Sequence, residues 1–306
     1  MNRFEYKNTI SDLLHIKYTS FDPTASFPAD EIYDGFDNIG KNLVTSGMLL
    51  TGKLKALDTI LEKVFNFRSK PIIEEMTYKP TDFGPVARKY RAPITWSYIT
   101  DDYIEIAHGN SEAKKTKFPK LGKYYRSNKE NPEPGVKEDG YYEITFTAEA
   151  VNRLTHAYDA AMIPTDLQVP MEMGIYITKG LLGTKDHASQ SRKKISVISL
   201  NDNRSKEYKI RVWLNEGDLI SFNWHNGPSA TKRYMREIGK KYHPVVMKNA
   251  ERMNKAYFGE DKGKIIGEVL SDVYDGPRLR VYEMKLKGPL HEVWPPQSHQ
   301  VVFGDN

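Results

Sequence analysis

A chain of 306 residues with 39% apolar residues, a mean hydropathy of −0.62 and a net charge of +5 has the length for one large or two ordinary domains with a buried core. No apolar run approaches the length of a membrane span, and basic and acidic residues are mixed along the chain, which argues against a nucleic-acid-binding surface. The absence of cysteine excludes disulfides, thiol catalysis, iron–sulfur ligation and covalent c-type haem attachment within the chain.

The first element predicted is a helix. Asn2 can cap it, with Glu5 three residues on completing a capping-box pattern, and Tyr6, Ile10, Leu13 and Leu14 share one face. An acidic loop follows, carrying Asp30, Glu31, Asp34, Asp37 and Asn38. Asp30, Asp34, Asp37 and Asn38 are oxygen donors suited to calcium, although their spacing is not that of an EF-hand. The alternative is that these residues make turn hydrogen bonds, with Gly35 and Gly40 at positive φ and Phe27 and Phe36 as anchors. Ser46 is a cap for a second helix whose apolar stripe is Leu50, Leu54, Leu57, Leu61, Val64 and Phe65. The two helices are expected to pack together.

Several motifs in this stretch occur in a fixed order: Asn2-Arg3-Phe4-Glu5-Tyr6-Lys7-Asn8-Thr9-Ile10, then Phe27-Pro28-Ala29-Asp30, Gly35-Phe36-Asp37-Asn38-Ile39-Gly40, and Ser46. Over residues 1–66 they resemble the planctomycete-specific domain of unknown function found in large, exported, cytochrome-c-containing proteins. The resemblance implies a periplasmic or extracellular location and flanking haem or catalytic domains as partners. It also implies a segment of a longer chain, since Met1 stands where family members have leucine and a further helical domain normally follows Trp294-Pro295-Pro296; an intact cytoplasmic protein is the alternative. Gly52 and Lys53 depart from the family, where a better helix former and an aromatic are expected.

From about residue 71 the pattern turns to alternation. Ile94–Tyr98 and Tyr103–Ile106 read as a hairpin about Asp101-Asp102, and Tyr142, Ile144 and Phe146 alternate with Tyr141, Glu143 and Thr145. Met171, Met173, Ile175 and Ile177 alternate with Glu172, Gly174, Tyr176 and Thr178, and Ile195, Val197 and Ile198 mark another strand. Tyr208–Leu214 and Leu219–Trp224 read as a hairpin about Asn215-Glu216-Gly217-Asp218, and Leu279, Val281 and Leu286 belong to a late strand. Such strands imply an antiparallel, jelly-roll-like β-sandwich. Two insertions interrupt it: a surface loop near 114–138, and 228–276 with a helix over His243–Tyr257 whose stripe is Val246, Ala250, Met253 and Tyr257. The expected layout is α+β, with a helical domain over 1–70, a sandwich over 71–290 and an extended tail over 291–306.

Catalytic motifs are lacking. The eight histidines form no His-x-x-x-His or His-Glu-x-x-His, no Gly-x-Ser-x-Gly elbow occurs, and Gly52-Lys53 and Gly122-Lys123 lack the glycine spacing of a phosphate loop. A polysaccharide hydrolase using two of the forty carboxylates is the least favoured reading. The remaining signal is aromatic, with nineteen tyrosines and four tryptophans. By alternation Tyr141, Tyr176 and Trp213 fall on polar strand faces, where flat rings suit sugar stacking. Trp224, Asn223, Asn226 and Asp218 are the expected polar rim at the end of the late hairpin; burial of all these rings beneath the insertions or helices is the alternative. The expectation is a non-catalytic module binding oligosaccharide or polysaccharide, or else an architectural domain docking its neighbours.

Overall fold

The computed structural model describes residues 2–18, 21–30, 47–65, 69–84, 98–107, 120–121, 135–179, 193–228, 231–258 and 272–304. Helix α1, Arg3–Leu14, starts at the expected cap: the Asn2 side chain accepts from the Glu5 N–H and the Glu5 carboxylate accepts from the Asn2 N–H. It ends at His15, whose left-handed φ of 52° stops the helix. Tyr6, Ile10 and Leu14 of α1 pack on a small core of Ile16, Phe21, Phe27, Ala56, Ile60 and Val64, while Leu13 is exposed.

Helix α2, Gly47–Val64, turns an unexpected face inward. Gly52, Ala56, Ile60 and Val64 are buried, whereas Leu50, Leu54, Leu57 and the adjoining Phe65 are exposed. Small residues let the helix backbone come close to the segment before it. A Cβ on Gly52 would lie only 3.2 Å from the Ser26 carbonyl oxygen and 3.3 Å from the Phe27 ring. The poor helix former at position 52 is therefore a packing residue.

The remainder is built from β1 (Glu74–Tyr78), β2 (Phe83–Gly84), β3 (Tyr98–Ile99), β4 (Ile104–Ile106), β5 (Lys120–Leu121), β6 (Gly140–Val151), β7 (Glu172–Lys179), β8 (Lys193–Ser199), β9 (Lys206–Leu214), β10 (Asp218–Trp224) and β11 (Arg278–Leu290). They form two antiparallel sheets. One runs β3-β4-β11-β6-β9, with β1 also on β11; the other runs β2-β5-β10-β7-β8. Their inner faces meet in one core, where the Phe146 and Phe222 rings from opposite sheets lie 5.4 Å apart. The fold is thus α+β, a helical start followed by an antiparallel sandwich with helical insertions.

Alternation in β6 is as expected, with Tyr142, Ile144 and Phe146 buried and Tyr141, Glu143 and Thr145 half-buried. The β3–β4 hairpin forms about Asp101-Asp102, although Ile94 to Ser97 lie outside the described residues. The late hairpin does not form. β9 pairs with β6 and β10 pairs with β7, so Asn215–Asp218 is a corner joining the two sheets. At this corner Gly135, with φ of 108°, lies so close to Gly217 that a Cβ there would be 2.3 Å from the Gly217 carbonyl carbon. Val136 is bonded to the corner through both backbone groups, its N–H donating to the Asp218 carbonyl and its carbonyl accepting from the Gly217 N–H. The 114–138 insertion is accordingly not all surface loop: β5 pairs with β10, and Val136 is buried.

Among the described residues the second insertion carries at least two helices where one was expected. Helix α3, Thr231–Tyr242, buries Tyr234, Met235 and Ile238; α4, Pro244–Phe258, buries Met247 and Ala250 and leaves Met253 exposed. The tail also differs from its expected extended form. Residues Gln297–Phe303 make a helix, α5, against α1 and α2, with His299 buried beside the Val64 carbonyl and the Phe303 ring 4.7 Å from that of Phe65.

Candidate functional site

The helical unit, the sheet corner and the chain after β11 enclose a groove of about 230 Å³, lined among others by Lys17, Lys63, Asp139, Tyr141, Trp213 and His291. Two of the aromatic residues singled out from the sequence, Tyr141 on β6 and Trp213 on β9, sit opposite each other in register and meet edge to face at 5.2 Å. Both are half-buried. Lys17 reaches over them from beyond α1: its ammonium lies 4.2 Å from the Tyr141 ring centre, 5.6 Å from that of Trp213, and donates to the Tyr141 hydroxyl. The Arg211 guanidinium, 4.6 Å from the same Tyr141 ring, is paired with Glu292 at 2.8 Å. Each cation is drawn to the ring by its quadrupole, worth about 0.5–1 kcal/mol at an exposed site.

Asp139 is the polar centre of this joint. One carboxylate oxygen accepts from the Glu216 N–H at 2.7 Å and from Lys63 at 2.9 Å; the other accepts from the Asn215 amide at 3.2 Å. Asn215, buried in the corner, also faces the Lys17 carbonyl and the Phe21 N–H at 3.5 Å. The Lys193 ammonium donates to the Tyr18 carbonyl at 3.1 Å. The corner turn itself is closed by Asp218, which accepts from the Asn215 N–H at 2.8 Å. On the far wall the His291 ring packs edge-on to Trp294 at 5.0 Å. Burial, reinforced by Lys70, holds the His291 imidazole below its usual pKa, against an opposing pull from Asp139.

The other residues read as a sugar-binding rim are not brought to this groove, and most are enclosed. Trp224 is 1% exposed, so its ring offers no face for stacking. Its indole N–H donates to the Asn226 side-chain oxygen, which also accepts from the Glu172 N–H, while the Asn226 amide donates to the Pro170 carbonyl. Trp224 and Asn226 therefore clip the end of β10 to the start of β7. Asp218 and Asn223 are wholly buried. Tyr176 is buried too, its hydroxyl 3.0 Å from His225 Nδ1 and its ring lying over Gly174 next to Asn223, where a Cβ would meet it at 2.5 Å. Alternation in β7 holds, with Met173, Ile175 and Ile177 in the core and Tyr176 on the other face beside Ser221 and Asn223, but that face is covered here and β10 is buried along its whole length.

Of the four residues read as calcium donors, Asp34, Asp37 and Asn38 lie outside the described residues. Asp30 accepts from the Arg3 N–H at 3.0 Å, at the start of α1, where a carboxylate also complements the helix dipole. Among the described residues no group of three or more histidine and carboxylate side chains is arranged to hold a metal. No described helix is long and apolar enough to cross a membrane. The joint residues Lys17, Lys63 and Asp139 were missed from the sequence. Nothing in their spacing marks them, because they come together only through the corner.

Residues 1–66 match the family model PSD3, described as a protein of unknown function (DUF1587), and the remainder of the chain is unassigned. None of the curated proteins compared with the chain matches it.

Proposed function

We propose that this chain is a non-catalytic architectural module of a larger exported, cytochrome-type protein, in which the β-sandwich serves as the mount for the DUF1587 helical unit and holds it for docking by neighbouring domains. The observation that carries this reading is the Asp139 node, where one carboxylate ties Lys63 of the helical unit to the backbone and side chain of the sheet corner. The packing of α5 on α1 and α2 supports it from the other end of the chain. A groove whose tyrosine is already covered by Lys17 suits a joint better than an open stacking platform. The test is a pull-down of the separately made c-type haem domain and following helical domain of the proteins that this chain resembles. The folded parent retains at least one of them and Asp139→Ala retains less. Recovery of neither by the folded parent refutes the proposal.

A second reading, saccharide binding in the same groove, is favoured by the half-buried Trp213 ring with Glu216, Glu292 and Gln297 on the lining. Such a module stacks a sugar on Trp213 and selects its hydroxyls with the carboxylates. A polysaccharide array run with calcium and then with chelator tests it. Binding that Trp213→Ala abolishes supports it, with calcium dependence directing attention to the acidic loop; binding unchanged in Trp213→Ala removes it.

A further inference from the structure

Turning the small residues of α2 inward leaves its leucines outside. Met48, Leu50, Leu54 and Leu57 are exposed, and the half-buried Leu61 continues their row. Single exposed leucines are ordinary, but these follow one another at steps of four, three and four residues along one helix face. With Leu54 and Leu61 at position a of a heptad and Leu50 and Leu57 at position d, the row is the seam of a helix that packs on another helix. Val64, the next d position, is buried in the helical core, so the seam runs for two heptads. The row leaves on the order of 400 Å² of apolar side chain in the open, in the range of patches that are commonly functional.

The flanks of the seam indicate what packs there. Lys53 stands at the g position before the Leu54 layer, and the exposed Asp58 at the e position after the Leu57 layer. In two parallel helices held in register, a g residue of one chain faces the e residue five places further on in the other. Lys53 of each copy then meets Asp58 of its mate, once on either side of a two-fold axis, while like leucines meet between them. Within one chain these two side chains lie on opposite flanks of the seam, at a spacing that does not bring them together. An antiparallel pair would set g against g and e against e, and would match neither charge.

We infer that the leucine face of α2 pairs with the same face of a second copy of this chain, as a short parallel two-helix seam. With its flanking residues the contact covers on the order of 1,000 Å² in all, the lower edge of a specific interface, so the dimer forms in the micromolar range rather than as an obligate assembly. It goes beyond the docking role proposed above and leaves the joint untouched, since Lys63, which reaches Asp139, is on the inward side of α2.

The test is sedimentation equilibrium of the full chain from about 1 to about 200 µM. The parent passes from monomer to dimer, and Leu54→Lys, at an exposed position, weakens the association about tenfold or more with an unchanged unfolding temperature. Lys53→Glu and Asp58→Lys each set like charges across the seam, and each alone weakens it about fivefold or more. Their equimolar mixture regains the parental affinity, because the mixed dimer has one native and one reversed pair. The inference is overturned by a monomer throughout, by parental association of Leu54→Lys, or by a mixture no tighter than its components. A monomeric parent whose Leu54→Lys variant loses the neighbouring domains in the pull-down also overturns it, and puts a neighbour's helix on this face.

Discussion

The joint between helices and sandwich depends on one side chain, and Asp139→Ala removes it. Three donors lose an acceptor: the Glu216 N–H, the amide of the 2%-exposed Asn215, and Lys63, whose side chain is about three-quarters buried. Only the Asn215 amide is enclosed; left unpaired it costs about 1–2 kcal/mol, and a partly exposed ion pair is worth about 0.5–1 kcal/mol, so the substitution destabilises by roughly 2 kcal/mol. Asp139→Asn keeps one acceptor for the Glu216 N–H but loses the charge and sets its NH2 against the Asn215 amide, at about 1–2 kcal/mol. Urea unfolding followed by tryptophan fluorescence reads both, because Trp213 and Trp294 flank the groove. For a chain of this size the Asp139→Ala midpoint falls by roughly 1 M. Hydrogen exchange then locates the loss, with faster exchange in α1 and α2 and little change in β6 and β11. An Asp139→Ala protein within about 0.5 kcal/mol of the parent, or one loosened in the strands instead, refutes the account of the joint.

Three further outcomes follow from the packing. Ile60→Ala, in the face of α2 that is buried, costs about 2–4 kcal/mol, whereas Leu54→Ala, 57% exposed, costs under about 0.5 kcal/mol; chemical denaturation that reverses this order puts the leucine stripe inside. Trp224→Ala costs about 3–5 kcal/mol, and Asn226→Ala about 1–3 kcal/mol through lost bonds to Trp224, Glu172 and Pro170; thermal melts check both, and near-parental stability in either dismisses the clip. Because burial lowers the pKa values of His291 and His156 below 6.5, the unfolded chain takes up these protons first. Their contribution to stability is level above that pH and declines as pH falls through it. Urea midpoints at about pH 5.5 and pH 7.5 therefore differ less in His291→Gln than in the parent, and an equal difference contradicts the buried, neutral imidazole.

The local elements were legible because their causes are local. The capping box of α1 needs only Asn2 and Glu5, and β6 alternates because one of its faces meets the core along its length. The α+β class followed from the change of period near residue 71. α3 was missed because its inward residues, among them Tyr234, Met235 and Ile238, lie within a strongly charged stretch.

What composition and periodicity determined alone was the helical start, the antiparallel strands and the exclusion of thiol catalysis and covalent c-type haem attachment within the chain. Which face of α2 turns inward was decided by the tertiary structure, because a close approach over Gly52 favours small residues over leucines. The same holds for the Asn215–Asp218 turn. Its residues suit a hairpin, but β6 and β7 are distant partners that draw its two strands into different sheets. That crossing buries Trp224 and gathers Asp139, Lys63 and Lys17 at the corner, from positions far apart in the chain. Pairing over such separations depends on which distant strand is free to accept a partner, and no local spacing encodes that choice.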